Sequence, residues 1–192
     1  MYQVRFHGRG GQGVVTSAEL LSVAAFLDGR HAQAFPSFGS ERTGAPVVAF
    51  CRIDDREIRA REPIARPDFV LVADPTLLHQ VAVFDGLAGD GHVLINSGRD
   101  PAHLGLDELE QRLPRGHVAT VPASELAREH LGRPLPNAAM LGGLAAISPF
   151  VSLESVCAAI RDRFPGEMGE RNSAAARAAH ERLERAAEPA RA

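Results

Sequence analysis

A chain of 192 residues, 45% of them hydrophobic and 23% charged, carries enough apolar material for one sizeable core, so a single α/β unit is the starting expectation. A net charge of −3 with both signs interspersed leaves no basic footprint for nucleic acid, and no apolar run reaches the length of a membrane span. Cys51 and Cys157 lie far apart and form no Cys-x-x-Cys set, so they read as small apolar side chains rather than iron–sulfur or zinc ligands. Arginine is frequent and lysine absent, which reads as compositional drift. No signal peptide precedes the first strand, and a cytoplasmic protein is expected.

In chain order, Tyr2 to His7 is strand-like, a glycine turn follows, and Val14 to Leu27 is an apolar helix. Asp28-Gly29 punctuates its end, and His31 to Phe35 makes the second strand. Ala45 to Ile53 is an apolar stretch ending at Asp54-Asp55. Continued by Glu57-Ile58 and Arg59 to Arg61, it reads as a hairpin or a pair of edge strands. Phe69 to Ala73, bracketed by Pro67-Asp68 and Asp74-Pro75, is the cleanest buried parallel strand. Leu77 to Phe84 is expected as a helix, His92 to Asn96 and His117 to Val121 as strands, and Ser124 to Leu131 as a helix. Asn137 to Ala146 is a helix rich in small residues, suited to close packing on the sheet or another subunit. Ser152 caps the next helix, to about Phe164, with Ser155 where a glutamate would complete a capping box. From about residue 172 an alanine-rich helical tail is expected, read as solvated, with Ala186 to Ala192 fraying.

Gly8-Arg9-Gly10-Gly11-Gln12-Gly13 has the G-x-G-x-x-G spacing between a strand and a helix. There the backbone can turn tightly, approach a ligand and pack helix on strand, while amide groups face an anion. A nicotinamide dinucleotide also needs a carboxylate at the tip of the second strand, and that strand runs instead into Pro36-Ser37-Phe38-Gly39. Phosphate or partner binding remains, beside the plainer reading of a turn needed only for packing.

The second candidate is the polar loop from Phe35 to Pro46, with hydroxyls at Ser37, Ser40 and Thr43, a carboxylate at Glu41, a guanidinium at Arg42, and Gly44. In a parallel sheet it lies at the carboxyl ends of the strands beside the glycine turn, where open α/β sheets bind ligands. Amides and a planar guanidinium suit phosphate. A solvated turn with a local Glu41–Arg42 pair is the alternative. Catalytic groups are scarce: His7 reads as structural, Ser97 lacks a nucleophile elbow, and Asp74 suits a turn cap without an obvious basic partner. No catalytic or metal-binding set is expected.

At these loops the sequence resembles the gamma subunit of the 2-oxoacid:ferredoxin oxidoreductases, the group of the pyruvate, 2-oxoisovalerate and phenylglyoxylate enzymes. The matching stretches are Gly8 to Gly13, Ala32 to Pro46, Arg66-Pro67-Asp68, Asp74-Pro75, Ile95-Asn96-Ser97, and Asn137 with Met140-Leu141-Gly142. The family usually has an arginine where Thr43 stands, and often an alanine at Gly143.

The resemblance covers nearly the whole of residues 1–192, whose alternation of short apolar strands with helical stretches points to a Rossmann-like α/β layered sandwich with a mostly parallel sheet. It also implies a role in oxidative decarboxylation of a 2-oxoacid with coenzyme A, electrons passing to ferredoxin or another electron-transfer subunit. Thiamine diphosphate then sits between alpha and beta subunits, and iron–sulfur clusters on a delta subunit or its equivalent. The gamma domain closes the assembly and helps form the coenzyme A site. On that reading Gly8, Gly10, Gly11, Gln12, Gly13, Ser37, Ser40, Glu41, Arg42, Thr43 and Gly44 are the binding residues. The other readings are a purely bracing subunit and a stand-alone nucleotide-binding enzyme.

Overall fold

The computed structural model describes residues 1–37 and 44–191. The strands are β1 (Tyr2–Arg9), β2 (His31–Pro36), β3 (Pro46–Asp54), β4 (Phe69–Val72), β5 (His92–Asn96) and β6 (Val118–Val121). The helices are α1 (Val14–Leu27), α2 (Asp107–Arg112), α3 (Ala123–Leu131), α4 (Asn137–Ile147), α5 (Leu153–Arg163) and α6 (Glu167–Arg191). Among the described residues the strands form one sheet in the order β2-β3-β1-β4-β5-β6. The β1–β4, β4–β5 and β5–β6 pairings are parallel, and β3 runs antiparallel to both β1 and β2. The sheet is therefore mixed with a parallel majority, as the alternation of strands and helices predicts.

Side-chain alternation along the strands splits the apolar residues between two layers. Val4, Phe6, Cys51, Phe69, Leu71 and Leu94 face one side, where α1, α4, α5 and α6 supply Leu21, Leu141, Leu144, Ile160 and Ala176. Val70, Val72, Val93, Ile95 and Val118 face the other, covered by Leu77, Val83, Leu106, Leu109 and Leu113. No helix among the described residues is long and apolar enough to cross a membrane.

Three expectations change. The hairpin partner of β3 is β2, with Phe35 opposite Phe50, and residues 57–61 are irregular. Arg52, 3% exposed within β3, takes the carbonyl of Glu62 at 2.6 Å and so holds that irregular segment over the sheet. The helix expected over Leu77 to Phe84 is a single 3-10 turn, Pro75–His79, capped by Asp74. Beyond it, Arg5 draws on the carbonyls of Val83 at 3.0 Å and Asp85 at 2.6 Å, groups that a helix would use internally. Finally, the alanine-rich tail is not a solvated appendage. It begins at Glu167 and buries Ala175, Ala176, Ala179 and Leu183, a helical stripe, in the main core.

The incomplete capping box of α5 is completed from a distance. Asp28 accepts from the Ser152 amide at 2.7 Å and from the hydroxyls of Ser152 and Ser155 at 2.9 and 2.7 Å. A carboxylate 124 residues away thus takes the place of the missing glutamate and ties the end of α1 to the start of α5.

Candidate functional site

β1 and β2 point the same way, so their carboxyl ends share one edge of the sheet, and the glycine turn sits there. Gly8 is a packing residue: a Cβ on it would stand 2.5 Å from Val14 Cγ2 and 3.2 Å from Ala73 Cβ. Gly10 joins the two loops, its amide donating to the Ala45 carbonyl at 3.0 Å and its carbonyl accepting from the Gly44 amide at 3.3 Å. Gly11 is at φ +93°, and no atom of the described residues lies within 4 Å of where its Cβ would stand, as suits a backbone approached by a ligand. Gly13, at φ +73°, is the residue preceding α1, and a Cβ there would lie 2.9 Å from Asn137 Nδ2.

Gln12 has a different task. Its Oε1 accepts from the Arg9 amide at 2.7 Å and its Nε2 donates to Asp74 at 3.0 Å, so the side chain braces the turn from within. Asp74 has a basic partner after all, Arg9 at 3.1 Å. Burial pushes the Asp74 carboxyl up, but hydrogen bonds from Thr76 and Gln12 and the Arg9 charge outweigh it and hold it below the usual range. Of the second loop, Ser37 is exposed with its amide on the Val48 carbonyl at 2.9 Å, and Gly44 closes onto the turn at φ +82°. Ser40, Glu41, Arg42 and Thr43, with Phe38 and Gly39, lie outside the described residues.

Two helices begin at this place. The Asn137 carboxamide in the first turn of α4 lies against Gly13 at the start of α1, which brings the two N-termini together. Neither helix has a side-chain cap, and neither has an acidic residue in its first turn. By contrast, α5 is capped by Ser152 and carries Glu154, and α6 carries Glu167 and Glu170. Among the described residues, no hydrogen bond occupies the amides of Val14, Val15 and Thr16 or those of Asn137, Ala138 and Ala139. Asn137 itself is 9% exposed, and its side-chain amide has no partner among the described residues. Two helix N-termini without caps or acidic residues, with the Asn137 carboxamide between them, present donors whose chemistry suits an anion.

His7 is structural. Its Nε2 accepts from Arg5 Nε at 3.0 Å, and burial, reinforced by the Arg5 charge, pushes its pKa down to about 4. Burial and the neighbouring His117 lower His92 to about 4 as well. Both rings are neutral in the fold and protonate more readily in the unfolded chain. Their contribution to stability is therefore complete above pH 6.5 and is lost as pH drops from there towards 4. Thermal unfolding across this range should show a shallower slope for His7→Gln than for the unmodified chain, and an identical slope would remove His7 as a source.

Asn137 and the Arg9–Asp74 pair were not among the residues that spacing alone singled out. Asn137 was visible only as part of a matching stretch, because nothing local says which glycine turn a helix start will meet.

The family model for pyruvate ferredoxin/flavodoxin oxidoreductase matches residues 3–182. The common gamma subunit of the pyruvate/ketoisovalerate oxidoreductases of Pyrococcus furiosus is 48% identical over 184 residues, covering 96% of this chain and 98% of that one. The crystal structure of pyruvate oxidoreductase subunit PORC from Thermotoga maritima superposes with a TM-score of 0.78 at 35% identity, covering 94% and 95% of the two chains. The fold is also shared with part of the 2-oxoglutarate:ferredoxin oxidoreductase of Magnetococcus marinus, at a TM-score of 0.72 and 17% identity, over 96% of this chain and 31% of that one. With the two loops in order, the α/β sheet beneath them and these matches across nearly its full length, the chain belongs to the gamma-subunit family of the 2-oxoacid:ferredoxin oxidoreductases.

Proposed function

We propose that this chain is the non-catalytic gamma subunit of a thiamine diphosphate-dependent 2-oxoacid oxidoreductase and supplies part of its coenzyme A site. In the overall reaction the bond between the carboxylate and the keto carbon breaks and carbon dioxide leaves. The acyl carbon bonds to the coenzyme A sulfur, and two electrons and the single thiol proton depart, the electrons to the acceptor. Thiamine diphosphate and iron–sulfur clusters, held on alpha, beta and delta or equivalent subunits, supply the carbanion and electron-transfer chemistry. This chain's share is binding and orientation.

The observation that carries the reading is the pair of uncapped helix N-termini converging on the glycine turn. The amides of Val14 to Thr16 and of Asn137 to Ala139, the open backbone at Gly11 and the Asn137 carboxamide are donors without acceptors among the described residues. A phosphate accepts several such bonds at once. By their chemistry alone, the hydroxyls of Ser37, Ser40 and Thr43 and the full positive charge of Arg42 are further donors suited to a phosphate. Because the Gln12 side chain is already engaged, its role is to hold the turn rather than touch the ligand.

The test is kinetic, on the assembled complex. Asn137→Ala and Arg42→Ala should each raise the apparent KM for coenzyme A about tenfold or more, matching the ~1.5–3 kcal/mol of a hydrogen bond to a charged group. Decarboxylation of the 2-oxoacid without coenzyme A should persist. Unchanged KM in both variants would leave a bracing role only.

A further inference from the structure

We infer that Arg9 is a positioning residue for the proposed coenzyme A site: its guanidinium fastens Gly44 and the end of β4 to the glycine turn, and does not itself meet the anion. This rests on the coenzyme A reading above. An arginine inside a glycine-rich turn invites the opposite assignment, a direct phosphate contact, and the geometry argues against it.

The Arg9 guanidinium has four acceptors already. Nε donates to Asp74 Oδ2 at 3.1 Å, Nη1 to the Gly44 carbonyl at 3.1 Å, and Nη2 to Thr76 Oγ1 and Gln80 Oε1, both at 2.8 Å. The side chain is 23% exposed and that of Asp74 15%, so the pair is largely withdrawn from water. The circuit closes through Gln12, which takes the Arg9 amide with its oxygen and gives its nitrogen to the same Asp74 carboxylate. Asp74 completes it by accepting the Thr76 hydroxyl at 2.6 Å. Three separate pieces of chain, namely the glycine turn, the re-entry of the second loop at Gly44 and the turn after β4, therefore meet on one planar fork. A lysine, with one point of charge, is unable to span Asp74, Gly44 and Thr76 together.

The backbone reinforces the assignment. Among the described residues, two hydrogen bonds, of 3.3 and 3.0 Å, join Gly44 and Ala45 to Gly10, and Arg9 adds a further one to the Gly44 carbonyl. Releasing it frees the second loop's anchor while leaving every donor at the starts of α1 and α4 in place.

The experiment uses the assembled complex carrying Arg9→Gln, Arg9→Lys, Asp74→Asn and the double variant Arg9→Gln/Asp74→Asn. Two quantities are read: KM for coenzyme A against kcat, and hydrogen exchange at the amides of Gly44, Ala45 and Val47. Positioning predicts faster exchange there and a KM raised about tenfold in Arg9→Gln, with kcat nearly unchanged. Asp74→Asn should move both quantities in the same direction, the double variant should be no worse than the larger single, and Arg9→Lys should fall between. A direct phosphate contact predicts the reverse sign for Asp74→Asn, since a freed guanidinium would bind coenzyme A as well or better. That result, or unchanged exchange at Gly44, Ala45 and Val47 in Arg9→Gln, overturns the inference. Faster exchange with no change of KM in the Arg9, Asp74 and Asn137 variants would instead overturn the coenzyme A reading and leave the fastening of Gly44 standing.

Discussion

Replacing Gly142 by alanine is expected to lower the melting temperature of the chain by about 10 °C, although alanine is the better helix former by about 1 kcal/mol. Gly142 lies inside α4, and a Cβ there would run into the backbone of α6, with the Ala176 carbonyl oxygen in its path and the Ala176 Cα 2.6 Å away. Backbone does not rotate out of the way as a side chain does, so α4 and α6 must part. The helices share Ala138, Leu141, Leu144, Ala175, Ala176 and Ala179 in one buried layer, so the separation opens the core along its length. Overpacking of this kind costs about 3 kcal/mol or more. Gly143→Ala is the internal control. Its Cβ would meet only the ends of Leu94, Leu183 and Val121 side chains, at 3.1, 3.2 and 3.5 Å, which can shift by tenths of an ångström. Thermal unfolding should therefore separate two neighbouring glycines by most of that 10 °C. Equal melting temperatures would show that α4 and α6 do not meet as described.

Arg5→Met should destabilise the fold by about 2–4 kcal/mol, the second large effect. Arg5 is 8% exposed in a central strand and donates to the carbonyls of Val83 and Asp85 and to His7 Nε2. Methionine fills similar space but donates nothing, so the buried Val83 carbonyl and the partly exposed Asp85 carbonyl lose their donor. Burying the cation is itself costly, shown by the lowering of its pKa, and relief of that cost limits the net loss. A second readout separates this from simple packing loss: without the Arg5 charge the His7 pKa should climb above its value of about 4, while burial still keeps it below 6.5. A chemical-denaturation midpoint and an NMR titration of His7 check both halves. An unchanged midpoint would mean that the 80–87 segment is held by something other than Arg5.

Arg5 and Arg52 also show where a one-dimensional pattern stops being informative. In alternating strands, a charged residue between apolar ones is normally read as facing water, and here both arginines are buried under irregular chain whose carbonyls they satisfy. The same long-range pairing accompanies the missing helix after Leu77, where the chain makes short turn bonds and leaves the carbonyls of Val83 and Asp85 to Arg5, and the absent strand at residues 57–61, beside which Arg52 holds the Glu62 carbonyl. The α6 helix was legible as a helix from its alanines. Its burial was not, since small residues spaced along a helix suit a solvated tail and a tight interface equally well until a partner such as Gly142 is in view.

By itself the sequence determined the glycine turn between a strand and a helix, the buried parallel strands, the order of most elements and the family, because each depends on residues close together in the chain or on a long ordered match. Tertiary structure decided that β3 lies inside the sheet and that Asp28 completes the α5 cap. It also decided that Gln12 and Arg9 turn inward to Asp74, and that Asn137 lies at the start of α1. Each of these joins groups far apart in sequence. A hydrogen-bond donor's partner is set by which strands and helices end at the same place, and only packing of the whole chain brings those ends together.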